Sequence, residues 1–229
     1  MSYYAITSNH PRHVKFLETL YQKIDLSVVI VVDKKISEAK FTEEQSFFQS
    51  DMSLLKKPNV LRCNSQQIHS NFVLNTLQKT DPEVGFVFGG PIIKKQLHQM
   101  PKFGCVNIHT GLVEHYRGVD STLWALYNNN TDLIGTTLHY IDDSIDGGSI
   151  IDTAKIKIKK HDNLDKLFYK TCESGFSLIL DNIDDIISNK VKSIKLNNRG
   201  KLYQLKDRNN TIVDVAKQNL RRYIDENYC

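Results

Sequence analysis

LSVVIVVD, Leu26 to Asp33, is the stretch that decides the fold. Its valines and isoleucine show no polar alternation, so neither face of a strand built from them suits water. Strands of that kind lie inside parallel sheets covered on both sides. Outward from it, YYAIT (Tyr3–Thr7), NVLRCN (Asn59–Asn64), VGFVFGG (Val84–Gly90) and FGCVNIH (Phe103–His109) repeat the theme, with helical patterns between them. The first of these patterns, SNHPRHVKFLETLYQK, places Val14, Leu17, Leu20 and Tyr21 on one face, with Ser8 or Asn9 able to cap it. Strand, helix, strand at this spacing predicts a doubly wound α/β sheet.

Beyond Gly118 the pattern changes. STLWALYNNN predicts a short helix capped by Ser121 or Thr122 and stopped by its asparagines. GTTLHYIDDSIDGGSIIDTAKIKIKK predicts two strands joined by an acidic, glycine-containing loop, and the segment from Asn163 to Ile187 predicts a long amphipathic helix. From Lys190 the composition turns polar, with a small element at GKLYQLKD and a last helix near DVAKQNLRRYIDENY. The chain therefore divides into one catalytic domain, residues 1–189, and a short C-terminal appendage, residues 190–229.

The 229 residues suffice for one such domain. A dedicated nucleic-acid binder usually shows a denser basic stripe than this net charge of +4 supplies, and a phosphorylated small molecule needs only a few local cations. The charge alone decides neither, and no nucleic-acid partner is expected. The four cysteines are widely separated and form no C-x-x-C pair, which points to reduced thiols rather than zinc or disulfides. Neither a signal-peptide core nor an apolar run of about 20 residues occurs, so the expectation is a soluble cytoplasmic protein without a membrane partner.

In an open α/β sheet, ligands bind outside the carboxyl ends of the strands. Three features fall at such ends: FVFGGPII, VNIHTG and YIDDSIDGG. Asn107 and His109 stand two apart on one strand and so project to one face. An amide donor and an imidazole aimed at one point can stabilise an oxyanion and manage a proton, as acyl transfer to an amine requires. An isolated N-x-H is far more often a polar strand end, capped by solvent or satisfied internally. The loop holding Asp142, Asp143 and Asp146 precedes Gly147 and Gly148, whose freedom allows a carboxylate to be turned toward a neighbouring strand end. There it could orient an imidazole and raise its pKa; by itself the loop is a solvated turn. Three aspartates also suggest a divalent metal, but other hard ligands are missing and no metal site is assigned. Phe88–Ile93 lacks the lysine of a phosphate loop and suits a flat ring laid against main chain. Arg117 could pair with a phosphate and Trp124 could stack on a base, although a lone Trp in an amphipathic helix is more often core.

Taken together, MPKFGCVNIHTGLVEHYRG and WALYNNNTDLIGTTLHYIDDSIDGGSII strongly resemble the 10-formyltetrahydrofolate-dependent formyltransferases, from about Gly85 to Ile151. The resemblance implies a Rossmann-like formyltransferase fold, with a mostly parallel central sheet and helices on both faces. It gives Asn107, His109 and Asp146 the catalytic positions. It implies that Phe88, Gly90, Pro91, Ile92, Ile93, Ile141, Asp142 and Asp143 hold the pterin of 10-formyltetrahydrofolate as co-substrate. The implied reaction is direct attack of a substrate amine on the formyl carbon through a tetrahedral intermediate. Asn107 and the imidazolium of His109 stabilise the oxyanion, and Asp146 keeps His109 charged.

Three acceptors compete. Methionyl-tRNA formyltransferases add a C-terminal barrel, for which this chain has no room, and glycinamide ribonucleotide formyltransferases carry a glycine-rich first loop that YYAITSNHPRH lacks. HYRGVDSTLWALYN, TTLHYIDDSIDGG and RGKLYQLKD look most like the sugar N-formyltransferases, which act on nucleotide-linked amino sugars. That branch implies a dTDP-linked 4-amino-4,6-dideoxyhexose, or a UDP-linked sugar, as substrate. It further implies a homodimer and a role in building a surface glycan such as the O-antigen of lipopolysaccharide. Substrate contacts are then expected from His10, Arg12, Lys94, Arg117 and Lys206 at the diphosphate. Trp124 or Tyr203 is expected at the base or sugar, and Thr110 and Tyr116 among the substrate contacts. A non-catalytic folate or nucleotide-sugar binding module is the competing class, and the intact Asn107, His109 and Asp146 speak against it.

Overall fold

The computed structural model describes residues 1–228. Its strands are β1 (Tyr3–Ser8), β2 (Val28–Val32), β3 (Val60–Cys63), β4 (Val84–Val87), β5 (Cys105–His109), β6 (Tyr116–Gly118), β7 (Gly135–Tyr140), β8 (Ile150–Lys155) and β9 (Lys201–Tyr203). Its α-helices are α1 (Pro11–Tyr21), α2 (Glu38–Phe48), α3 (Asn71–Gln78), α4 (Lys95–His98), α5 (Ser121–Tyr127), α6 (Leu164–Ile187) and α7 (Asn210–Tyr228). Seven strands form one mostly parallel sheet in the order β3-β2-β1-β4-β5-β7-β8, and β6 and β9 pair in parallel as a two-stranded sheet. The predicted α/β architecture is the one observed. No helix among the described residues is long and apolar enough to cross a membrane.

The chain forms two compact units. The first comprises Met1–Asn107, Tyr140–Asp143 and Ile179–Lys192. Here β1 pairs in parallel with β2 and β4, setting Ile6 opposite both Ile30 and Val87. All five residues of β2 are buried, as its uniform apolar run demands. Tyr4, Ile6, Ile30, Val87, Leu97 and Cys105 belong to one hydrophobic cluster.

Helix α1 starts differently from expectation. Pro11 occupies its first turn, His10 is the N-cap, and no side chain caps it. Proline has no N–H to be capped and holds the preceding residue, His10, extended, while β1 runs on through Ser8. Ser8 instead contacts His13 Nδ1, and Asn9 brackets the backbone of Lys34.

The second unit comprises Ile108–His139, Ser144–Leu178 and Ser193–Cys229. The residues expected as an appendage therefore supply β9 and α7 to this unit. Ala216 and Leu220 of α7 lie in the same core cluster as Leu123, Trp124 and Leu126 of α5. Strands β7 and β8 are antiparallel with a register shift at Leu138/His139. Ser121 and Thr122 do not cap α5. They are in its first turn, and Asp120, in the left-handed region at φ 59°, is the N-cap. The asparagines do end the helix, with Asn128 as C-cap and Asn129 at φ 56°.

Candidate active site

The second unit gathers a cluster around His109, the last residue of β5. Its Nδ1 lies 3.2 Å from Asp146 Oδ2. Asp146 sits in the turn between β7 and β8 and is itself left-handed, at φ 46°. The bend thus falls on the aspartate, not on Gly147 or Gly148, whose φ values are not positive. Non-glycine residues pay for that conformation, and such strain is characteristic of functional sites. Gly147 is needed for space: a Cβ there would lie 2.1 Å from Ser144 Oγ.

Several groups hold the carboxylate. The Gly118 N–H donates to Asp146 Oδ2 at 2.8 Å, and His139 Nε2 of β7 lies 3.7 Å from Oδ1. Gly118 is at φ 86°, which favours glycine, and any Cβ would lie 2.0 Å from the Tyr203 carbonyl oxygen. Arg117 braces the same turn, donating from Nε to the Gly200 carbonyl at 2.8 Å and from a terminal nitrogen to the Ile145 carbonyl at 3.1 Å.

His109 is 6% exposed, and both ring nitrogens are engaged. Nε2 is 2.9 Å from the Tyr116 carbonyl oxygen and 3.0 Å from Ser121 Oγ. A Cβ on Gly111 would fall 2.5 Å from Ser121 Oγ and 2.6 Å from His109 Nε2, so only glycine leaves room for this arrangement.

Burial lowers the pKa of His109 below the usual imidazole value. Asp146 and the Tyr116 carbonyl pull it upward, but His139 and Arg117 add to the lowering. This corrects the expectation that Asp146 keeps the ring charged: the cost of burying an imidazolium outweighs one carboxylate. Burial opposes the charge of Asp146 too, yet His109, His139 and the Gly118 N–H hold that carboxyl well below the usual range. The stable state near neutrality is an ionised Asp146 beside a neutral imidazole. Such a pair can take up one proton at the ring and spread its charge onto the carboxylate.

Asn107 ends the first unit. It is half-buried on β5, two residues before His109 and in register with Val87 of β4. The residues expected at the pterin also lie in this unit. Phe88 is buried edge-on against His13, with ring centroids 5.0 Å apart. Residues 88–94 belong to no strand or helix, but the Phe88 N–H still donates to the Ile6 carbonyl, and the Phe88 and Gly89 carbonyls accept from Thr7 and Lys34. The main chain from Gly90 to Ile93 is the part that can meet a flat ring carrying donors and acceptors. Gly90 and Pro91 are half-buried there, Ile92 is 70% exposed, and Ile93 is buried in the core. Ile141 donates its N–H to the Cys105 carbonyl at 2.8 Å, Asp142 is half-buried, and exposed Asp143 faces His98 Nε2 at 3.1 Å.

The expected substrate contacts divide. His10 and Arg12 lie together at the end of β1, where Arg12 pairs with Glu44, a side chain without solvent exposure. Lys94 is exposed, and its N–H donates to His69 Nε2 at 3.0 Å. Thr110 is half-buried just beyond His109, and Lys206 is exposed. Three aromatic assignments do not hold. Tyr116, Trp124 and Tyr203 are buried in the core of the second unit. Trp124 stacks on Tyr203 with ring centroids 4.1 Å apart, and Tyr203 on Tyr116 at 6.1 Å, so a ring face that a base would need is already covered. Arg117 is likewise committed to two carbonyls rather than to a diphosphate.

Sequence reasoning missed His139, Ser121 and Gly118. A lone His in an apolar strand, a Ser opening a helix and a Gly ending a short strand each carry a commonplace structural meaning. Only the alternation Thr137-x-His139, which puts a polar pair on one face of β7, hinted at the first.

The fold and this centre define an α/β domain with an Asp–His pair at the carboxyl end of a central strand. The formyl transferase family model matches residues 6–183, and the chain belongs to that family. The methionyl-tRNA formyltransferase of Thermodesulfovibrio yellowstonii is 32% identical over 123 residues, 53% of this chain and 40% of that protein. This chain thus spans less than half the length of that curated relative. A sugar N-formyltransferase from a Shewanella species superposes with a TM-score of 0.69 at 15% identity, covering 96% of this chain and 87% of that one. The N-formyltransferase of Helicobacter canadensis, solved with folinic acid and dTDP-3-aminofucose, gives 0.64 at 19% identity, covering 97% and 82%. At these identities the likeness shows the fold.

Proposed function

We propose that this chain transfers a formyl group from 10-formyltetrahydrofolate to the amine of a nucleotide-linked amino sugar, with a dTDP-linked 4-amino-4,6-dideoxyhexose as the first candidate. The observation that carries it is the His109–Asp146 pair, 3.2 Å apart, held two residues after Asn107 in a chain of the formyl transferase family. In this reading residues 88–93 and 141–143 hold the folate, whose formyl carbon the sugar amine attacks. Asn107 donates to the oxygen that becomes negative, a contribution worth about 10²–10³ in turnover for one such donor. Neutral His109 takes the proton shed by the amine, and Asp146 compensates the imidazolium so formed.

The sugar acceptor is supported by the superposition of sugar N-formyltransferases over 96–97% of this chain at TM-scores of 0.64–0.69. A phosphoribosylglycinamide formyltransferase covers 90% at 0.63 and supplies the rival acceptor. The same proposal treats residues 1–189 as the catalytic domain and residues 190–229 as its appendage. It takes the enzyme to be a cytoplasmic homodimer whose product enters a surface glycan such as the O-antigen.

The test is a substrate panel read by mass spectrometry: protein, 10-formyltetrahydrofolate, and dTDP- or UDP-linked amino sugars, with Met-tRNA and glycinamide ribonucleotide as further arms. A sugar heavier by one formyl group supports the proposal. Formylated Met-tRNA or glycinamide ribonucleotide would reassign the acceptor. Folate binding without any product would make the chain a binding module.

A further inference from the structure

His109 Nε2 lies between two oxygens of different character. The Tyr116 carbonyl, at 2.9 Å, can only accept; the Ser121 hydroxyl, at 3.0 Å, can accept or donate. On the other side, ionised Asp146 can only accept from Nδ1. When the ring is charged, its two N–H groups meet Asp146 and the Tyr116 carbonyl. When it is neutral, the proton stays on Nδ1 beside Asp146, and Nε2 becomes a lone pair facing a carbonyl oxygen. That contact is repulsive unless something donates to Nε2, and of the two oxygens beside it only the Ser121 hydroxyl can.

We infer that Ser121 is a positioning residue for His109: its hydroxyl donates to Nε2 in the neutral ring and turns away when the ring gains a proton, so that it helps to keep the imidazole uncharged until the amine delivers its proton. This rests on the formyl-transfer role assigned to His109 above. Ser121 is placed for the task by Asp120, whose left-handed conformation begins α5 at the point where the first helical residue faces the end of β5. Gly111 keeps the space between the hydroxyl and the ring clear. Ser121 and His109 are both buried, so bulk water does not replace the donor. The other charged or titratable groups facing the ring are Asp146 from the turn, His139 from β7 and Arg117 from β6. Asp146 meets the ring at Nδ1, on the side away from Ser121.

The experiment follows the ring Cε1–Hε1 resonance of His109 between about pH 5 and 8, assigned by its loss in His109→Gln, in the parent, Ser121→Ala and Ser121→Thr. The acid limb of kcat/KM is measured in parallel. Ser121→Ala should raise the His109 midpoint by roughly half to one pH unit, the worth of one hydrogen bond to the neutral form, and move the acid limb with it. Ser121→Thr, which keeps the hydroxyl, should remain close to the parent. An unchanged or lower midpoint in Ser121→Ala, or an equal rise in Ser121→Thr, would overturn the inference. The titration is read on the protein alone. A failure of formyl transfer to any amine would thus appear separately, as an absence of product with the hydroxyl effect intact.

Discussion

Replacing Asp146 by Asn tests the site in two independent currencies, stability and turnover. The parent carboxylate accepts from the Gly118 N–H at 2.8 Å and lies 3.2 Å from His109 and 3.7 Å from His139. Burial opposes its charge, but these partners outweigh that cost and hold the carboxyl well below its usual pKa. Asn keeps the shape and can still accept from Gly118, but its uncharged oxygen holds the N–H groups of the neighbouring imidazoles less strongly. With the side chain only 15% exposed, the expected loss is on the order of 1–3 kcal/mol at neutral pH. The sign follows from linkage. A depressed carboxyl pKa contributes stability that is complete above the unfolded value of about 4 and fades as pH falls toward the folded one. Chemical denaturation should therefore show a gap between parent and Asp146→Asn at pH 7 that narrows below about pH 4. Turnover should fall about 10²–10⁴-fold, because the imidazole loses the anion that compensates its charge. Equal stability at pH 7 together with parental turnover would refute both the electrostatics and the role.

Because burial, His139 and Arg117 lower the His109 pKa, the acid limb of kcat/KM should have its midpoint below the ordinary imidazole value of about 6.5; a midpoint above it in a pH–rate profile would contradict the neutral ring. Gly118→Ala must place a methyl 2.0 Å from the Tyr203 carbonyl at φ 86°, so the variant should lose upward of about 2 kcal/mol in urea denaturation and release Asp146. A fully stable Gly118→Ala protein would show that this turn is not as rigid as described. Trp124→Ala removes a buried ring stacked on Tyr203, and a loss of about 3–5 kcal/mol should appear in denaturation. A rise in the sugar-nucleotide KM with stability unchanged would return Trp124 to the binding surface.

The fold was legible where one physical requirement dominates a whole segment. A strand buried on both faces must be apolar throughout, and β2 is. The long helix α6 likewise shows its period over many turns. The shared placement of Asn107 and His109 was legible because one strand carries both, which fixes their relation without tertiary knowledge. What stayed hidden depends on single long-range placements. Ser121 is indistinguishable from a helix cap until α5 is set against β5, and Trp124 is indistinguishable from a stacking platform until Tyr203 returns to cover it. The start of α1 went unread for a local reason, since Pro11 removes the donor that a capping Ser8 would satisfy. The charge state of His109 needed the positions of His139 and Arg117, which no spacing reveals.

The central claim is that one imidazole, paired with Asp146, takes the proton in formyl transfer. It is tested most directly by single-turnover formylation of a dTDP-linked amino sugar by His109→Gln, with folate binding measured alongside. The account predicts a rate about 10²–10⁴ below the parent with folate affinity preserved. A His109→Gln protein that formylates its substrate at the parental rate would contradict it.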